Sequence, residues 1–148
     1  VNLDGEAAVD REIDVKGCKR RITCTSMGNP HATVFVSDVQ NYDVSGEGKA
    51  ISDDKSLFPE GVNVGFVQVI DRTHLKVRVY ERGSGETLAC GTGACAAVVA
   101  ATLVGHCDRD AEISVRVRGG ELIVRYAEDG TVYMTGDAQE VFRGTVKL

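Results

Sequence analysis

Cys90 stands between a charged loop and a run of small apolar residues, in the stretch ERGSGETLACGTGACAAVVAATLVG that ends at Gly105. Ahead of it lie Glu81, Arg82 and Glu86, and directly behind it Gly91-Thr92-Gly93. The small-residue run reads as a helix over about Gly93 to Leu103, so the thiol sits at a helix start. Peptide N–H groups there have no partner within the helix and carry partial positive charge. Glycines without side chains let a carboxylate approach those N–H groups closely. A thiol in such a place is expected to have a depressed pKa. The segment therefore offers an anion cradle beside a titratable sulfur, with Glu81 and Arg82 suited to an ammonium and a second carboxylate.

Two other readings of the same residues compete. Gly91-Thr92-Gly93-Ala94-Cys95-Ala96 satisfies the dinucleotide fingerprint G-x-G-x-x-G/A. That fingerprint needs a short turn straight from a parallel strand, whereas charged residues 81–89 intervene here and the flanking strands read as hairpins. No Walker lysine follows, so a P-loop is excluded. The other reading is packing of a helix close to a sheet. It explains Ala94 to Ala101 and makes Cys95 a small apolar filler, but it leaves the charged residues ahead of Cys90 without a reason.

The elements that must position this segment are mostly strands. Ala7 to Val15 and Lys19 to Ser26 flank the turn Lys16-Gly17-Cys18 as a hairpin. Ala32 to Ser37 is a further strand, and the polar stretch Asp38 to Glu60 reads as loop with one short helix near Lys49 to Asp54. Val62 to Ile70 and His74 to Tyr80 pair around Asp71-Arg72-Thr73. After the helix, Glu112 to Arg118 and Glu121 to Tyr126 pair around Gly119-Gly120. Thr131 to Met134 and Gln139 to Lys147 complete the set, with Asp129-Gly130 as another turn. The helix is apolar on every face, so it is expected to be enclosed. The fold class expected is α+β: a mostly antiparallel, barrel-like sheet wrapped around one long central helix.

Composition limits the function classes. The 148 residues are most simply one domain, 1–148. With 17 basic and 22 acidic residues the net charge is −5, which argues against nucleic-acid binding. Five cysteines without a C-x-x-C pair fit neither a disulfide framework nor a closed zinc site, and no set of His, Cys and carboxylates has metal-ligand spacing. Reduced thiols in a cytosol-like compartment are expected, and no signal or membrane-spanning segment is visible. The chain opens on Val1 rather than Met and soon turns strand-like, as a domain excised from a longer protein would.

At this point the sequence resembles a known family. ERGSGETLACGTGACAA is similar to the C-terminal active-site signature of diaminopimelate epimerases. SMGNPH (Ser26 to His31), FPEGVNVGF (Phe58 to Phe66) and YMTG (Tyr133 to Gly136) agree in order and spacing. The resemblance implies a cofactor-independent isomerase that converts LL-diaminopimelate to the meso form, on the route to lysine and peptidoglycan. It implies two similar lobes, each a barrel-like sheet around a central helix, and a cytoplasmic location (plastid stroma for a plant-type source).

Residue by residue, Cys90 looks like the catalytic thiol of the second lobe. Gly91 and Thr92 look like the backbone cradle for the carboxylate on the reacting carbon. Glu81 resembles the acidic residue near that carbon, and His31 the histidine that assists the thiols. Asn29, Asn63 and Arg82 resemble the residues that hold the distal amino-acid end, where an analogue lacking that end leaves buried polar groups unpaired. Inversion of a carbon needs an acid on one face and a base on the other, hence two thiols. The chain has no second glycine-flanked thiol: Cys18 and Cys24 lie in hairpin strands, and Cys95 and Cys107 read as packing or loop residues. The resemblance therefore covers about the C-terminal half of the enzyme, with the N-terminal lobe as partner and a homo-oligomer as a further possibility. Alone, the chain is expected to be inactive. A proline racemase-like isomerase, or a binding or scaffold domain that keeps the fold without catalysis, are the alternative readings.

Overall fold

Alternating apolar residues give the sheet two dressed faces, and each face carries its own helix. The computed structural model describes residues 8–147, in which nine strands form one mixed sheet. The strands are β1 (Arg11–Val15), β2 (Cys18–Ser26), β3 (Pro30–Phe35), β4 (Asn63–Asp71), β5 (His74–Glu81), β6 (Gly85–Thr87), β7 (Glu112–Val117), β8 (Gly120–Tyr126) and β9 (Val132–Thr135). Their order is β1-β2-β3-β4-β5-β7-β8-β9, with β6 paired to β5. Two pairings, β3–β4 and β5–β7, are parallel. Parallel neighbours need a crossover, and the two helices, α1 (Val44–Ser52) and α2 (Gly91–Leu103), lie in those crossovers.

Side-chain parity sorts the core into two clusters. On β5, Leu75, Val77 and Val79 join α2, while Tyr80 packs with α1. On β4, Val67 belongs to the α2 side, and Val64 and Phe66 to the α1 side. Helix α2 touches β2 to β5 and β7 to β9; α1 rests on β1, β4, β5 and β6. The burial of Ala94 and of Ala96 to Ala101 explains why α2 tolerates no polar face.

Several expectations need correction. The sheet is mostly antiparallel, with β3–β4 and β5–β7 as its parallel pairings, and it carries two helices, so one long central helix is too simple. The strands flanking α2 are parallel neighbours, not only hairpin arms, because β5 and β7 lie side by side. The short helix runs over Val44–Ser52 instead of 49–54: the Asp43 carboxylate caps it by accepting from the Gly46 N–H at 2.9 Å. The first strand begins at Arg11; its expected start at Ala7, like Val1, lies outside the described residues. Residues 139–147 form no strand. They run without a sheet partner, and Val141, Phe142 and Val146 are 89%, 82% and 79% exposed.

Candidate active site

The charged loop ahead of Cys90 is more ordered than its sequence indicates. Beyond Glu81 the backbone adopts positive φ at Gly83 (83°) and Gly85 (77°), a region that L side chains rarely enter. Those two residues turn the chain back so that β6 pairs with β5, Thr87 opposite Val79 and Glu86 opposite Tyr80. Glu86 is then gripped by Arg78, whose Nε and Nη2 donate to its two oxygens at 2.7 and 2.8 Å, and by Arg118 at 3.1 Å. The Arg78 guanidinium also donates to the carbonyls of Val39, Gln40 and Tyr42. These cations hold the Glu86 carboxyl below its ordinary pKa, with the Arg78 hydrogen bonds as the largest cause. Glu86, grouped with Glu81 and Arg82 by sequence, is thus spent on fastening the loop.

Glu81 is placed differently. Its carboxylate accepts from the Thr87 hydroxyl at 2.6 Å and remains partly open to solvent. Thr87 lies within the ERGSGETLACGTGACAA segment, but nothing in its type or spacing marks it as the partner of Glu81.

Cys90 is the N-cap of α2. Its backbone is extended (φ −139°, ψ 106°), and its sulfur accepts from the Gly93 N–H at 3.3 Å. Thr92 Oγ1 lies 3.6 Å from that sulfur, 3.2 Å from His31 Nε2 and 3.3 Å from Asn29 Nδ2. His31 Nε2 is also 3.1 Å from Asn29 Oδ1. One hydrogen-bonded group therefore joins the β2–β3 turn, the start of β3 and the first turn of α2. His31 is 2% exposed, and burial pushes its pKa down to about 4 against a weaker opposite pull from Glu81. It is neutral at physiological pH, and its Nδ1 is buried without a hydrogen-bond partner.

Asn63 sits beside His31 across the parallel β3–β4 register. Its Nδ2 donates to the Pro30 carbonyl at 3.2 Å, and its Oδ1 accepts from the Arg82 backbone N–H at 3.1 Å. One amide hydrogen and one lone pair are left over. The Arg82 side chain is exposed and donates to the Glu60 carbonyl at 3.1 Å. Met134 covers the first turn of α2, since a Cβ on Gly91 would come within 3.3 Å of its sulfur.

The structure thus brings together Cys90, Thr92, His31 and Asn29, with Gly91 in the same turn and Asn63 and Arg82 joined to each other alongside. Glu81 is tied to Thr87 and reaches His31 only through its charge. All five cysteines are free thiols. Burial pushes Cys24 and Cys107 up to about 11 and raises Cys95 as well. Among the described residues no group of three or more His, Cys, Asp or Glu is placed to hold a metal ion, and no helix is long and apolar enough to cross a membrane.

With this geometry in view, comparison with known proteins is informative. The sequence pattern of a family described as "Diaminopimelate epimerase" matches residues 23–141. The chain is 49% identical over 144 residues to a diaminopimelate epimerase of Nitrosomonas europaea, covering 97% of this chain and 51% of that protein. Against the diaminopimelate epimerase of Laribacter hongkongensis it is 51% identical, with the same coverage. The chain therefore spans about half the length of the curated relatives it matches. Among solved structures, a probable proline racemase from Agrobacterium radiobacter with bound carbonate superposes with a TM-score of 0.61. That match has 18% identity and covers 80% of this chain and 41% of the other. A hydroxyproline epimerase from Agrobacterium vitis gives a TM-score of 0.58 at 16% identity, covering 80% and 40%. At such identities the likeness is one of fold.

Proposed function

Because the chain belongs to the diaminopimelate epimerase family, we propose that residues 1–148 form the C-terminal lobe of a two-lobed, cofactor-independent epimerase acting on diaminopimelate. The observation that carries this reading is the convergence of Cys90, Thr92, His31 and Asn29 at the start of α2.

In this reading the unpaired N–H groups of the first turn of α2, around Gly91 and Thr92, hold the carboxylate on the reacting carbon. One sulfur takes the α-proton: the C–H bond breaks, an S–H bond forms, and the electron pair stays on the carbon and its carboxylate. The other sulfur returns a proton to the opposite face, so the carbon is inverted. The α-proton is very weakly acidic, so stabilisation of the developing negative charge by fixed N–H dipoles is essential. Cys90 is one sulfur, and the N-terminal lobe supplies the other. Glu81, fixed by Thr87, lies near the reacting centre, and neutral His31 assists Cys90. Asn29, Asn63 and Arg82 hold the distal amino-acid end.

Exposed Leu88, Tyr133 and Met134, with the unpaired apolar residues of 139–147, support a second lobe covering these surfaces. The test is transfer of deuterium from solvent to the α-carbon of LL-diaminopimelate. The chain alone should give none. Supplied with the N-terminal half of a relative it should exchange, and Cys90→Ala should lower that rate by at least about 10³-fold. Turnover by the isolated chain would contradict the two-lobe reading, and exchange of proline in place of diaminopimelate would favour a proline racemase-like enzyme.

A further inference from the structure

We propose that the Thr92 side chain, and not only its backbone, serves the thiol: its hydroxyl donates to Cys90 Sγ, the one acceptor among its side-chain neighbours, because neither Asn29 Nδ2 nor His31 Nε2 can accept its hydrogen. The inference rests on the site described above and deepens it. Thr92 acts here as a positioning residue.

The assignment follows from counting hydrogens. Asn29 Oδ1 only accepts, so His31 Nε2, 3.1 Å away, must carry its hydrogen. The same Nε2 stands 3.2 Å from Thr92 Oγ1 and offers it no lone pair. Asn29 Nδ2, 3.3 Å from Oγ1, carries hydrogens only. Neither of these two polar neighbours of Oγ1 can therefore accept its hydrogen, the single Nε2–H of His31 being directed at Asn29 Oδ1. The third is Cys90 Sγ at 3.6 Å, the one neighbour of the three able to accept the hydroxyl hydrogen. The sulfur already receives the Gly93 N–H at 3.3 Å. It is thus met by two donors, one from the helix backbone and one at the end of a chain that begins in the β2–β3 turn and on β3.

The arrangement also gives the unpaired Nδ1 of His31 a meaning. With the hydrogen on Nε2, Nδ1 holds only a lone pair, whose desolvation costs less than that of an unpaired N–H. The buried histidine is locked in one tautomer by Asn29, and that tautomer turns the threonine hydroxyl towards the thiol.

The experiment uses the chain itself. Thiolate is the reactive form of cysteine, and a donor on sulfur favours it. Iodoacetamide labelling at neutral pH, read peptide by peptide by mass spectrometry, compares Cys90 with exposed Cys18 as an internal reference. Thr92→Val should slow labelling of Cys90 by about fivefold, since the lost hydrogen bond is partly offset by the greater intrinsic nucleophilicity of a more basic sulfur. Thr92→Ser should stay within about twofold of the parent, because it keeps the hydroxyl. Long-range 1H–15N correlation should show His31 neutral with its hydrogen on Nε2. Unchanged labelling in Thr92→Val, failure of Thr92→Ser to restore it, or a hydrogen on Nδ1 overturns the proposal. No arm needs turnover, so loss of the epimerase reading leaves this test intact, and the reverse also holds.

Discussion

Helices α1 and α2 seat on adjacent residues of β5, α1 through Gly48 on Tyr80 and α2 through Gly93 on Val79. Each begins on a side chain that accepts the N–H of a glycine three residues ahead, Asp43 from Gly46 and Cys90 from Gly93. The likeness ends there. α1 closes its own N-terminus with a carboxylate, and Glu47 in its first turn is held by Arg20 at 2.8 and 2.9 Å and by the Tyr42 hydroxyl at 2.8 Å. α2 has no charged residue in its first or last turn and is capped by a weakly accepting sulfur. One helix start is neutralised from within, and the other is left electropositive beside a thiol. The same backbone device therefore serves anchoring on one face of the sheet and, in the function proposed above, reception of the substrate carboxylate on the other.

The largest test of this contrast is steric. A Cβ on Gly48 would lie 2.5 Å from Tyr80 Cβ and 2.7 Å from Cγ, atoms too close to the backbone to swing aside. Gly48→Ala should cost about 3 kcal/mol in urea denaturation, even after the better helix propensity of alanine is credited. On Gly93 the nearest contacts are 3.0 Å to Val79 Cγ2 and 3.2 Å to Cys90 Sγ, which a shift of a few tenths of an ångström relieves. Gly93→Ala should stay within about 1 kcal/mol of the parent, because helix propensity offsets the strain, while disturbing the Gly93 N–H contact to sulfur. Equal costs at the two sites would mean that both helices are seated for stability alone.

A second difference appears with pH. Burial holds His31 neutral in the folded chain down to about pH 4, whereas in the unfolded chain it takes up a proton near 6.5. Between those values the unfolded state binds more protons, so stability falls as pH drops and is level above about 6.5. The drop from pH 6.5 to 5 should be about 2 kcal/mol, and His31→Gln should flatten it whatever its stability at neutral pH. The polar contacts of α1 contain no histidine and add no such step. A slope that survives in His31→Gln would place the proton uptake elsewhere.

Much of this was legible in the sequence, for reasons that differ by residue. Cys90 and the flanking glycines are local: their spacing alone announces a capped helix start. The strands from Val62 to Tyr80 declare themselves by Val-rich runs, and the structure places them within a residue or two. What escaped depends on contacts far along the chain. The grip of Arg78 on Glu86 and on carbonyls near residue 40 cannot be read from period or motif. Nor can the fastening of Glu81 by Thr87, or the parallel pairing of β5 with β7. The start of helix α1 is hidden in the sequence by two glycines in its first half, and only the Asp43 cap reveals it. The tail 139–147 has the composition of a strand, but a strand needs a neighbour, and none is supplied among the described residues.

The smallest test concerns the caps and bears directly on why a thiol stands at residue 90. Asp43→Ala should lose about 1 kcal/mol, the usual worth of a carboxylate cap. Cys90→Ser should lose nothing and gain up to about 0.5 kcal/mol, because serine is among the best N-caps and its hydroxyl finds both the Gly93 N–H and Thr92 within reach. Both are read by urea denaturation at neutral pH. If serine serves the fold as well as cysteine, the sulfur is kept for its acid–base chemistry, and the packing reading of this segment is confined to Ala94 to Ala101. A loss greater than about 1 kcal/mol in Cys90→Ser would reverse that, since the sulfur would then be filling space in the buried α2 cluster. The two helix starts would differ in packing alone.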